Sequence, residues 1–144
     1  MSLSDADFLR AFIDCTLPRE HWTHEAHIRM AWLILEQDPF TVALAKICTG
    51  IQRYNTSVNS LGYHTTVTVA FSQLIQHRRL TGRTKLLWRE FIAANSDLLS
   101  KQPPILSHFY SPELLASEAA KRAYIAPDLV PLPSLAGPMP GFAE

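Results

Sequence analysis

The chain lacks several things, and each shortage excludes something. Only 18% of its 144 residues are charged, against a usual share of about 25%. Thirteen basic and thirteen acidic side chains cancel to a formal net charge of zero. A neutral chain has no overall field with which to hold DNA, RNA or an anionic lipid surface, so neither nucleic acid nor membrane is an expected partner. No apolar run approaches the roughly 18 residues that cross a bilayer; the longest, Met30 to Leu35, reads as a buried stretch of helix. The opening residues, MSLSDAD, have neither the basic region nor the apolar core of a signal peptide. Cys15 and Cys48 are the two cysteines, and their spacing does not ask for a disulfide. The expectation is a cytoplasmic protein with reduced thiols. There is no internal repeat and no low-complexity tract.

What is present is apolar: 47% of the residues are hydrophobic, which composition-based disorder does not tolerate. A chain of this length matches one ordinary domain. Helix punctuation is clear. Ser4 with Asp7 resembles a capping box, ahead of Phe8, Phe12 and Cys15 on one face. Thr23 caps a second helix striped by Ile28, Ala31, Trp32 and Leu35. Asp38-Pro39 is a cap followed by proline, opening a third helix with Phe40, Leu44, Ile47, Ile51 and Tyr54 in register. Thr65 to Val69 is β-branched and suits a strand, but the continuation through Phe71 to Arg79 favours a fourth helix. A fifth is expected over Thr84 to Leu99, and a sixth from Ser111-Pro112-Glu113 to about Tyr124. The fold class is therefore all-α: a single-domain bundle of about six helices over residues 1–126. Five of the ten prolines fall between Pro127 and Pro140. Residues 127–144 read as an extended tail, packed on the bundle or on a partner subunit, since proline lacks the donor that helix and sheet need.

Three histidines stand where a site would form. His24 sits one turn ahead of Ile28, His27 one turn ahead of Ala31, and His64 three residues before Val67. Each extends an apolar stripe at the start of its helix. Short connections make neighbouring helices antiparallel, so the starts of the second and fourth helices and the end of the third should meet. Tyr54, Asn55 and Tyr63 arrive at that end, as would Cys15, His108, Tyr110 and Ser111. The candidate ligand-binding residues are thus His24, His27, Tyr54, Asn55, Tyr63 and His64. Helix N-termini disfavour imidazolium, leaving these histidines neutral.

Three chemistries compete for such a pocket. His24 and His27 at i, i+3, with His64 as third ligand, could hold a transition metal such as zinc. No carboxylate is well placed beside them, and a metal ranks below no cofactor at all. Cys15 as a nucleophile is weaker, because a helix C-terminus does not lower a thiol pKa. Metal-free binding of a small molecule, with His and Tyr as donors or acid–base groups, fits the inventory best. Elsewhere, Arg78, Arg79, Arg83, Lys85 and Arg89 form a basic cluster without a nearby acid, read as a solvated face. His21 and His77 read as surface residues.

Three segments carry a resemblance: Trp22, Thr23, His24 and His27; Tyr63, His64, Thr66 and Thr68; and Pro127, Asp128, Leu129, Pro131 and Leu132. Together they resemble an uncharacterised family of small bacterial helical proteins. Its members share a W/F-T-H-x-x-H helix start, a Y-H-x-T-x-T segment and a P-D-L-x-P-L tail. The resemblance implies no activity. Where the family pattern has Glu after the second-motif histidine, this chain has Thr65, which removes a candidate base. The expected function is small-molecule binding, with acid–base or metal-assisted chemistry as its extension, and a homo-oligomer is compatible with the tail. The alternative is a non-catalytic protein–protein interaction module whose histidines are structural.

Overall fold

A computed structural model describes residues 3–82 and 85–135. Among them the chain forms seven α-helices and no strand, an all-α bundle. Local signals explain most of the helix starts. Ser4 Oγ accepts from the Asp7 amide at 3.1 Å, and α1 runs over Asp5–Ile13. Thr23 Oγ1 accepts from Ala26 N at 3.1 Å and opens α2, His24–Gln37. α3 spans Phe40–Ser57 and α4 Thr65–Thr81. The expected cap at Asp38 is not made; its carboxylate takes Lys46 Nζ at 2.9 Å instead. The β-branched start of α4 is helical because Ala70, Leu74 and Ile75 bury one face of the helix, and packing outweighs a propensity difference of under about 1 kcal/mol per residue.

The later helices are shorter than their sequence pattern implies. α5 is only Trp88–Ala94, followed by a 3-10 turn over Ser96–Leu99. Thr84, its expected start, lies outside the described residues, as does Arg83. The expected last helix is two, α6 over Pro112–Ala116 and α7 over Glu118–Arg122. Ser117 divides them: its backbone is extended, and its hydroxyl accepts from Ala120 N at 3.2 Å, so it caps the second piece rather than continuing the first.

α2, α3 and α4 pack against one another in pairs, α1 lies across α2 and α3, and α7 rests on α4. Trp32, Trp88 and Phe91 form one aromatic group in the core. Tyr110 is buried and donates to Ile125 O at 2.7 Å. Thr66, also fully buried, donates to Ala123 O at 2.9 Å and accepts from Ile125 N at 3.1 Å. The tail as far as residue 135 lies on the bundle. Asp128 Oδ1 accepts from Ser111 N, Leu129 N donates to Phe109 O, and Gln73 Nε2 donates to Pro133 O at 3.1 Å. The rest of the expected tail, 136–144, lies outside the described residues. No helix among the described residues is long and apolar enough to cross a membrane.

The basic cluster is not without acids. Arg78 clasps Asp97 through two bonds of 2.8 Å, and Lys85 Nζ lies 3.5 Å from Glu36. Arg79 donates to Leu35 O and Gln76 Oε1. His77 is half-buried and bonds Ser134 O, whereas His21 is exposed as expected.

Candidate functional site: a histidine-lined cavity

A cavity of about 350 Å³ runs between α2, α3 and α4. Its volume falls at the lower end of the roughly 300–1,000 Å³ usual for small-molecule sites. His24 and His27 from the start of α2, Asn55 near the end of α3, Tyr63, and His64 at the start of α4 all line it. The helix ends therefore meet as their polarity requires. Below them the wall is apolar: Ile28, Ile47, Ile51, Val67, Phe71 and Ile75. Thr68, a residue of the Y-H-x-T-x-T segment, also lines it, as does Ser72, which the sequence pattern had not singled out; their spacing of one and two turns from His64 was the available signal.

Tyr54 does not belong to the cavity. Its ring is fully buried on the other side of α3, and its hydroxyl donates to Leu17 O at 2.7 Å. Adjacent helical residues differ by about 100° around the axis, so Tyr54 and Asn55 cannot face the same way. Burial raises the Tyr54 pKa; the neighbouring Cys15 adds to this, while Arg19 opposes it. Cys15, His108, Tyr110 and Ser111 are not cavity residues either. Cys15 Sγ faces Arg53 O at 3.8 Å, His108 is exposed, Tyr110 bonds Ile125, and Ser111 caps α6.

The hydrogen bonds decide which ring nitrogens are free. His64 is the N-cap of α4: its Nδ1 accepts from Val67 N at 3.2 Å and so carries no proton. Its Nε2–H then donates to Leu115 O at 2.8 Å. Both nitrogens are spent. His24 donates from Nε2 to Leu98 O at 3.0 Å, leaving Nδ1 without a partner among the described residues. His27 donates from Nδ1 to Thr23 O at 2.7 Å, leaving Nε2. These bonds do not favour the metal reading. His64 has no lone pair to give, and among the described residues no three His, Cys, Asp or Glu side chains are grouped to hold a metal ion.

His27 is electrostatically distinct. Burial holds its pKa below the ordinary value of 6.5; the bond to Thr23 opposes the shift, and nearby His24 reinforces it. Its ring stacks on Trp22 with centroids 3.8 Å apart. Burial lifts the Tyr63 phenol above its usual range, opposed by the Thr65 hydroxyl and reinforced by Cys48. The site therefore offers a neutral imidazole with one unpartnered nitrogen, a phenol that keeps its proton, and a buried amide. Comparison with protein-family models, with curated proteins and with solved structures returns no match for this chain.

Proposed function

We propose that the protein binds a small molecule in this cavity and that His27 is its acid–base group. The reading rests above all on His27: a neutral imidazole on the cavity wall, oriented by Thr23 through Nδ1 and with Nε2 unpartnered among the described residues. A general base needs a free lone pair, a fixed ring and a pKa near or below the working pH. Five of the six candidate residues share the cavity, and the helix-start motifs of the family pattern supply five of its lining residues: His24, His27, Tyr63, His64 and Thr68.

A second reading, an interaction module with structural histidines, draws support from His64, whose nitrogens are both committed to backbone groups. A fragment screen followed by two-dimensional NMR separates the two. Binding predicts that hits shift the imidazole resonances of His24 and His27 and compete with one another. An interaction module predicts no hits at these resonances, and that result would retire the proposal.

A further inference from the structure

We infer that the cavity takes an uncharged ligand, an apolar body ending in a carboxamide-like head that pairs with the side-chain amide of Asn55. This rests on the binding reading above and goes on to name the ligand's chemistry.

Asn55 is only 7% exposed and lines the cavity. Its backbone carbonyl is used locally, accepting from Ser60 N at 2.8 Å and Val58 N at 3.2 Å. The side-chain amide makes no hydrogen bond to any described residue. Neither its oxygen nor its nitrogen is sealed from water, so the amide is open to whatever occupies the cavity it lines. Asn55 thus carries a donor and an acceptor, side by side, that the rest of the fold leaves unanswered. A group with an acceptor beside a donor, such as a carboxamide or lactam, answers both at once.

The other polar groups narrow the choice further. Thr68 Oγ1 donates to His64 O at 2.9 Å and Ser72 Oγ to Thr68 O at 2.8 Å, so neither hydroxyl has a proton left to offer a ligand. His64 is fully engaged. The residues lining the cavity include no Asp, Glu, Lys or Arg. A carboxylate would meet no fixed positive charge and an ammonium no fixed negative one, each against a wall of isoleucine, valine and phenylalanine. Either charged head pays desolvation without compensation. The apolar wall takes the body, and the amide reads the head.

The test uses four near-isosteric probes: hexanamide, methyl pentyl ketone, hexanoate and hexylammonium. Each is titrated into the full chain near neutral pH and followed by ¹H–¹⁵N spectra that include the Asn55 side-chain NH₂ pair. Hexanamide is expected to shift that pair and to bind at least about tenfold tighter than either charged probe. It should also bind a few-fold tighter than the ketone, which lacks the donor. Asn55→Leu should erase the preference for amide over ketone while leaving Tm unchanged or higher, since the wild-type amide has no protein partner to lose. Hexanoate or hexylammonium binding as well as hexanamide would overturn the ligand class and leave the site standing. No shift of any cavity resonance by any of the four would remove the binding reading together with this one. A marked fall in Tm for Asn55→Leu would show that the amide is structural and overturn its role as the reader of the head.

Discussion

The indole of Trp22 and the imidazole of His27 lie face to face, 3.8 Å between ring centroids and 29° between planes. Trp22 in turn stacks on Phe12 at 4.9 Å, so a surface-to-core aromatic column holds the ring that borders the cavity. His27 is half-buried and its pKa is lowered, which makes stability depend on pH. Above the ordinary value of 6.5 the ring is neutral in both the folded and the unfolded chain and adds no slope. Below it the unfolded chain takes the proton first, so stability should fall as the pH drops from 6.5 toward the folded-state value. Urea melts across that range should show the loss in the wild type and a shallower one in His27→Gln. Equal slopes would contradict the assignment.

His64 should behave as a structural clasp. It caps α4 and ties that helix to Leu115, so His64→Ala removes both bonds and should cost about 1–3 kcal/mol. Asparagine can still cap but cannot reach Leu115. His64→Asn is expected to recover roughly 1 kcal/mol of the loss in denaturant unfolding. Added zinc should leave the His64 ring resonances in place.

Tyr54→Phe should cost about 1–2 kcal/mol, because Leu17 O loses its buried donor. Fragment binding in the cavity should be unchanged. A loss of binding out of proportion to stability would return Tyr54 to the site.

Gly50 on α3 lies under the Phe12 ring, where an added Cβ would meet Cε2 at 2.9 Å and Cζ at 3.0 Å. Phe12 cannot readily yield, being buried and stacked on both Trp22 and Tyr54. Gly50→Ala gains up to about 1 kcal/mol of helix propensity but should lose about 1–3 kcal/mol to overpacking. The expected outcome is net destabilisation, smaller when Phe12 is first changed to Leu, as a double-mutant cycle in urea would show.

The legible parts of the molecule were those written in short-range pattern. The caps at Ser4, Thr23 and Ser111 lie three residues from the amides they serve, so a local reading finds them. The meeting of His24, His27, Asn55, Tyr63 and His64 followed from helix polarity and short connections. Tyr54 was misplaced because end-of-helix position alone ignores the rotation between neighbours. Cys15 was misplaced because α1 ends at Ile13 and the chain turns through a positive φ of 61° at Cys15. The partners that settle the histidines were illegible for another reason. Leu98 and Leu115 act through backbone carbonyls, which every residue type has, at separations of 74 and 51 residues. No side-chain pattern announces them.

Ribosomes deliver this chain from its N-terminus, and α4 leaves before the groups that complete it. Thr66 waits 57 residues for Ala123, and Gln73 waits 60 for Pro133. A nascent chain stopped before α6 would carry α2, α3 and α4 with the buried hydroxyl of Thr66 and the Nε2–H of His64 still seeking acceptors. The cavity's third wall is thus finished only by residues made 51 to 60 positions later in the chain.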